Sequence, residues 1–553
     1  MTFEPYYIVL ILFWILVLIF NFKEIERAKT IESKQDRQYI YWIQLVLLVG
    51  VIVRTLPVNI PAGIFFDEAM SGYDAWCLAY YGVDQHLTSY PVYLRSWGGG
   101  MNALYAYISI PFIKCFGLSL PVFRLPMALV SCFSLLLLYY TLRKTSMNYL
   151  LIFFIMFLMI VNPWHIMKSR WALESNIAPD IILIGICFLI LGYNSISDKK
   201  KRAFFFAGFF FLALSAYGYA VTWFMLPLFC LFLFVFLYKK RKIRKYEIGL
   251  YSLELLILVF PLILFAFLIL TNGEQFRLGL TITTLEENRH NSTTLFGEGD
   301  FLPQIVMYLK KIFNLLILGD DTYRWNTFYL FGQFYNILLI PILIFSFYLL
   351  RKRKYHNISD SLFILWLMAS VPIVFLVEPN VNHWNVLWFP LIYFTGRGLY
   401  FCAEKYYYVK YLIIGGLILL FVMFSRKYIT FFGHVDTSEL SGFVGEYEGF
   451  ISFAKTKEFD RIYFDGSYPM VLFYNPVSPY IVASTKKKRL DSYNIFNSVE
   501  GYDKFRFYLP SDNIEPTPKT AYILRNYRLK YSNIDVDKYN IDKGEVFFII
   551  WNE

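Results

Sequence analysis

Apolar runs long enough to cross a bilayer follow one another from about residue 5 to residue 425, separated mostly by short loops rich in lysine and arginine. Few folds tolerate such a succession. In hydrocarbon every backbone amide needs a partner within the protein, so the runs must be helices. With 57% hydrophobic and 21% aromatic residues over 553 positions, the composition excludes an ordinary soluble domain. The net charge of +11 sits in clusters between the runs, where it sets topology. No basic face with a recognition motif is present, so nucleic acid is not an expected partner.

The heaviest basic clusters are Lys199-Lys200-Lys201-Arg202, Lys239 to Lys245 and Arg351-Lys352-Arg353-Lys354, supported by Lys23 to Arg37 and by Arg143-Lys144. Kept inside, they let the runs at 5–21, 39–56, 119–142, 148–162, 177–193, 203–219, 221–237, 247–270, 334–350, 360–377, 386–402 and 410–425 alternate without conflict. The expectation is about twelve transmembrane helices with both termini outside. Residues 6–20 lack the basic leader and small-residue cleavage site of a signal peptide, so a retained first helix is expected. The apolar stretch 101–116 would invert the later loops if it crossed, and is read as a juxtamembrane or re-entrant helix. Residues 57–118 then form a long outer loop, with further outer loops at 162–176, 271–333 and 378–385. After residue 425, short β-type stretches at 461–464, 506–509, 521–524 and 546–550 alternate with polar separators. They predict a small extracytoplasmic α/β domain over 426–553, following a membrane domain over 1–425.

Ionisable residues gather in the outer loops. Asp67 and Glu68 stand side by side in the first, where mutual repulsion and nearby hydrocarbon make them costly unless something cationic or protic meets them. Six cysteines without C-x-x-C spacing indicate neither a disulfide framework nor a zinc site. His165 and His383 lack ligand spacing, so no metal is called for, although a divalent ion is compatible.

The ordered set Pro61 through Asp67-Glu68, Gly72-Tyr73-Asp74-Ala75, Gly82, Pro91-Val92, Leu104-Tyr105-Ala106-Tyr107, Phe116-Gly117-Leu118 and Arg124-Leu125-Pro126 resembles the GT-C glycosyltransferases, in particular the protein-mannosyltransferase-like family 39. Asn162-Pro163-Trp164-His165 through Glu174, Trp325-Asn326, Asn382-His383-Trp384-Asn385 and Leu472 to Pro476 extend the likeness. The resemblance implies a bacterial membrane enzyme that moves a sugar from a polyprenyl-phosphate donor to an acceptor at the outer face, usually with inversion. It makes Asp67 the candidate general base, since a hydroxyl nucleophile needs a carboxylate to take its proton. Glu68 either shares that task or caps a helix. Arg170 and Glu174, four apart, either pair on one helical face or join the site. Family relatives carry aspartate where Glu174 stands, and a Lys-Pro-Pro motif where this chain reads Gly98-Gly99-Gly100. Arg95, Lys168, Arg170 and Arg324 are therefore the candidate cations for the donor phosphate, each also suited to anchoring at a membrane interface. Tyr73, Tyr105, His165, Asn326 and His383 are the candidate substrate contacts, with Trp97 among the aromatic residues placed for sugar stacking.

A lipid-linked glycan flippase and a polysaccharide polymerase or ligase are the rival functions. A transporter predicts polar residues at the membrane midplane, whereas these runs are apolar. The acceptor is a glycan or a protein. Codon-driven richness in Lys, Ile, Phe and Tyr favours a bacterial cell-envelope glycopolymer.

Overall fold

The computed structural model describes the chain apart from residues 1–3, 97–98, 272, 274, 284–300, 322, 353–356, 406–407, 435–441, 491–496, 508–513, 532–537 and 553. Each of the twelve apolar runs is helical. Nine helices among the described residues are long and apolar enough to cross a membrane: Tyr7–Lys29, Lys34–Thr55, Leu120–Leu142, Glu174–Asn194, Thr222–Lys239, Lys245–Thr271, Ile358–Leu376, Asn385–Lys405 and Val409–Phe432. The chain is a multi-pass membrane protein. The remaining three runs fold as Tyr149–Val161, Asp198–Ser215 and Asn336–Lys352. The first has 13 residues and rises about 20 Å, short of a hydrocarbon core about 30 Å thick. The second spends its opening turn on Asp198-Lys199-Lys200-Lys201-Arg202, which shortens its apolar length. The stretch read as juxtamembrane is also a 13-residue helix, Leu104–Phe116.

Two compact units divide the chain. The first comprises Met1–Pro57, Arg124–Leu264 and Arg289–Lys427. Its centre is Tyr149–Val161, packed against Lys34–Thr55 and Asn385–Lys405, while Glu174–Asn194 packs along Asp198–Ser215. Small residues permit the latter approach: a Cβ on Gly185 would lie 3.0 Å from the Gly208 carbonyl oxygen, and one on Gly208 would lie 2.8 Å from the Leu189 side chain. Several charges buried in this unit are paired. Arg397 meets Asp360 at 2.8 Å, where Tyr393 also donates at 2.7 Å, and Arg143 meets Glu24 at 2.9 Å.

The second unit gathers Val58–Phe123, Phe265–Asn288 and Tyr428–Glu553. Its seven-stranded sheet runs in the order Asn540–Lys543, Phe547–Trp551, Thr520–Arg525, Arg461–Phe464, Phe505–Arg506, Asn497–Tyr502 and Lys487–Leu490. The central strand Arg461–Phe464 is parallel to both neighbours; the other pairings are antiparallel. Tyr463, Tyr522, Leu524, Phe548 and Ile550 fill one core of this sheet. Three stretches predicted as strands are strands, and the fourth pairs only over Phe505–Arg506, with 508–509 outside the described residues. The first long loop is built onto the tail segment. Ala62 N–H donates to Phe432 O at 2.7 Å, Ile64 bridges Val444, and Val92 N–H donates to Thr281 O at 2.9 Å.

Candidate active site

Residues 61–68 bring the paired carboxylates to a helix start. Gly63 has φ of +93°, and a Cβ there would meet the Val444 carbonyl carbon at 2.6 Å, so the turn into the helix requires glycine. The helix Phe66–Tyr81 follows, with Asp67 and Glu68 in its first turn, where the exposed N–H groups favour negative charge. Glu68 is fully buried and its Oε2 accepts the Phe65 N–H at 3.1 Å, the bond of a capping acid. Asp67 is half-buried beside it. Gly72 seats the helix on Tyr468–Tyr474: a Cβ there would lie 2.4 Å from the Phe473 ring.

Arg95 lies on a hairpin, Tyr93–Ser96 paired with Gly99–Asn102, opposite Gly100. Positions 97 and 98, including the candidate Trp97, lie outside the described residues. Asp74 and Asp84, which sequence reasoning did not single out, are both buried here. Asp74 accepts the Gln85 N–H at 2.9 Å and the Gln85 side-chain amide at 3.0 Å; Asp84 accepts the N–H groups of His86 and Thr88, each at 2.8 Å. Burial, then the charge of Asp84, pushes the Asp74 carboxyl well above the usual carboxylate range. Asp84 is also raised by burial, against the opposing pull of its N–H donors and of the Arg95 charge. Tyr73 and Tyr105 are buried, and their hydroxyls donate to the Val477 and Phe123 carbonyls. Tyr73 also stacks on Trp76.

In the first unit the structure joins residues from three separated stretches. Lys168, only 2% exposed, donates to Asn326 Oδ1 at 2.9 Å and to Asn382 Oδ1 at 2.8 Å, with its ammonium 4.2 Å from the Trp171 ring centre. Asn326 passes the contact on, donating at 2.8 Å to Asp321 Oδ2, which also accepts the Val381 N–H at 3.0 Å. Burial pushes Lys168 down to about 7, opposed by Asp321, and it raises Asp321 despite that carboxylate's hydrogen bonds.

His165, on the short helix Pro163–Lys168, has both ring nitrogens occupied. Arg54 Nη2 lies 2.9 Å from Nδ1, and Asp180 Oδ1 lies 3.1 Å from Nε2. A guanidinium only donates, so the proton of the neutral ring belongs on Nε2, facing Asp180. Burial, with the Arg54 charge, lowers the imidazole against the pull of Asp180, which favours that neutral form. Asp180 further accepts from Ser131 at 2.8 Å and from Ser134.

Arg170 Nη1 donates to the carbonyls of Val53 and Leu56 at 2.9 and 3.0 Å, and Nη2 donates to Pro57. It thereby closes the C-terminal end of Lys34–Thr55. Glu174 opens its own helix. Arg324 is exposed. His383 is half-buried with Nδ1 at 2.8 Å from the Glu378 carbonyl oxygen and is lowered by burial.

Lys168, Asn326 and Asn382 thus meet, whereas His165 belongs to a separate buried relay. Among the described residues no three of His, Cys, Asp and Glu come together to hold a metal ion. Asp180 and Arg54 carried a readable signal, an ionisable residue in an apolar run. Asp321 carried none, because its role depends on a lysine 153 positions away in the chain.

No protein-family model matches the sequence, and no curated protein matches it. Solved structures do. ArnT from Cupriavidus metallidurans in its apo state aligns over 92% of this chain and 97% of its own, with a TM-score of 0.51 and 10% identity. ArnT bound to undecaprenyl phosphate aligns over the same shares, with a TM-score of 0.53 and 11% identity. The chain has a GT-C fold. The archaeal oligosaccharyltransferase AglB from Archaeoglobus fulgidus, in complex with an inhibitory peptide and a dolichol-phosphate, aligns over 79% of this chain and 64% of its own at a TM-score of 0.48 and 12% identity. The alignments with ArnT cover nearly the whole of this chain.

Proposed function

We propose that this protein is a membrane glycosyltransferase that moves a hexose-type sugar from a polyprenyl-phosphate donor to an extracytoplasmic acceptor, with inversion. The observation that carries the reading is the near-full-length likeness to ArnT holding undecaprenyl phosphate. A lipid carrier is membrane-bound, so its headgroup reaches a reacting partner where membrane helices give way to loops, and in this reading Asp67, in the first turn of the helix Phe66–Tyr81, meets it there.

In this reading Asp67 takes the acceptor hydroxyl proton as the new glycosidic bond forms, and the bond to the lipid phosphate breaks. Glu68 holds the turn that aims it, and Glu174 supports the reacting groups. Cations offset charge growing on the departing phosphate. Arg324 and Arg95 are the more open candidates, while Lys168 and Arg170 act from buried positions. Tyr73, Tyr105, His165, Asn326 and His383 are the proposed substrate contacts, although the hydroxyls of Tyr73 and Tyr105 and both ring nitrogens of His165 already have partners within the protein. The basic loops favour a membrane domain over residues 1–425 whose reacting face lies outside the cytoplasm together with the 426–553 domain. A cell-envelope glycopolymer is the proposed acceptor. Mass spectrometry of envelope glycans with and without the gene tests this: loss of one hexose-sized increment is expected, and unchanged glycans with altered lipid distribution would favour a flippase.

A further inference from the structure

Two of the basic loops between the apolar runs are brought together by the fold. The first, residues 198–202, opens the helix Asp198–Ser215; the second, residues 239–247, joins the end of Thr222–Lys239 to the start of Lys245–Thr271. Side chains tie them to one another and to a third helix. Arg202 Nε lies 3.1 Å from Glu247 Oε1, and its Nη2 donates to the Tyr246 hydroxyl at 2.7 Å. Lys242 Nζ donates at 2.8 Å to the carbonyl of Tyr193, in the last turn of Glu174–Asn194. The hydrogen bond from Lys201, followed by the charges of Lys201, Arg202 and Arg244, holds the Asp198 carboxyl below the usual carboxylate range, so Arg244 of the second loop stands within reach of the first. Together the loops carry ten lysines and arginines against two carboxylates, a net charge of +8. Both carboxylates are engaged inside the patch, Asp198 by Lys201 at 2.6 Å and Glu247 by Arg202. Lys199, Lys200, Lys239, Lys240 and Arg241 are exposed.

The patch stands at the joined ends of three helices long enough to cross a bilayer, Glu174–Asn194, Thr222–Lys239 and Lys245–Thr271, which is the depth of lipid phosphates. Its margin is apolar and aromatic. Ile196 is fully exposed, and Tyr238 and Tyr246 are 44% and 54% exposed. A small soluble anion gains nothing from such a margin, whereas a lipid meets it with its glycerol and upper acyl chain. Fixing topology needs only a charge bias in each loop and does not require two loops to be bonded into one surface. We propose that the joined loops 198–202 and 239–247 form one binding site for an anionic phospholipid, its phosphate held between the two loops and its acyl chains against the adjoining helices. The site takes a resident lipid and does not depend on the proposed transfer reaction.

The test is native mass spectrometry of the full chain, delipidated in detergent and offered phosphatidylglycerol or phosphatidylcholine with matched acyl chains. The expected result is one phosphatidylglycerol retained in preference to phosphatidylcholine, and raising ammonium acetate from about 0.1 M to about 0.5 M should weaken that preference severalfold by screening. Because both loops build the site, Lys199→Gln with Lys200→Gln, and separately Lys239→Gln with Lys240→Gln, should each weaken retention about tenfold, while Lys199→Arg with Lys200→Arg keeps it. Arg351→Gln with Lys352→Gln removes the same charge from another basic loop and should change retention by less than about twofold. Equal retention of the two lipids, or a preference indifferent to salt, overturns the proposal; both are read on the unsubstituted protein and stand whether or not the glutamine variants fold. A loss from only one of the two lysine pairs, or an equal loss from the Arg351 and Lys352 pair, also overturns it, since the lipid would then belong to a single loop or to the net charge of the whole protein.

Discussion

Replacing Lys168 by Met separates its charge from its packing, because methionine keeps an apolar stem against Trp171 and loses only the ammonium. The drop from an ordinary 10.5 to about 7 corresponds to roughly 5 kcal/mol against the charged form. That figure is already net of what the charged form gains from its partners, so Lys168→Met relieves a cost while leaving the Asn326 and Asn382 oxygens without their buried donor, at about 1–3 kcal/mol each, and should change folding stability by less than about 2 kcal/mol at pH 7. The sign of the pH effect follows from the lowered value. Between about pH 7 and 10.5 the unfolded chain holds the extra proton, so the folded state gains stability as pH rises through that window, and the cost of charging is full below it. Function runs the other way. If the charged ammonium helps hold the donor phosphate, the donor KM of the unsubstituted protein should rise up to tenfold per pH unit above 7. It should level off about 10- to 150-fold higher, the worth of one charge-assisted bond. Steady-state transfer assays from pH 6 to 9 would show this, with Lys168→Met flat at the upper KM. A donor KM that stays flat in the unsubstituted protein and does not change in Lys168→Met refutes the reasoning and leaves Lys168 a tether for two asparagines.

Gly72→Val would force a side chain into the Phe473 ring and should cost about 1–3 kcal/mol, read as a lower melting temperature and faster proteolysis of the tail segment; an unchanged melt would contradict the packing described. Asp180→Asn should cost about 3 kcal/mol, because it leaves the buried Arg54 charge without its nearby carboxylate and weakens the acceptor for His165 Nε2–H. A thermal shift equivalent to under about 1 kcal/mol would show that the relay is not needed for stability.

Helices and their approximate bounds were legible because apolar length is a local property, and so was the β-type tail, where Arg461–Phe464 and Thr520–Arg525 alternate with polar separators. The span count was less so: Asp198–Ser215 looks apolar after residue 203, yet its charged first turn shortens the part suited to hydrocarbon. At the candidate site, the Asp67-Glu68 pair and its helix start could be read from adjacent residues, as could Glu68 as a capping acid. The grouping of Lys168 with Asn326 and Asn382 could not, because each was visible only as a polar residue in its own loop. Arg170 illustrates the converse. Its spacing to Glu174 suggested a shared helical face or a place in the site, while the structure puts it beyond the end of Pro163–Lys168, with Glu174 opening the next helix, and commits its guanidinium to the Val53, Leu56 and Pro57 carbonyls, a demand set by where another helix happens to end.

Transfer by Asp67→Asn, measured beside the unsubstituted protein in the same lipid vesicles with the same polyprenyl-phosphate sugar, bears most directly on the proposed chemistry. Asparagine keeps the size and polarity of the side chain and cannot accept the proton, so kcat should fall about 10²- to 10⁴-fold with donor retention and melting temperature unchanged. Transfer at the unsubstituted rate would contradict the account.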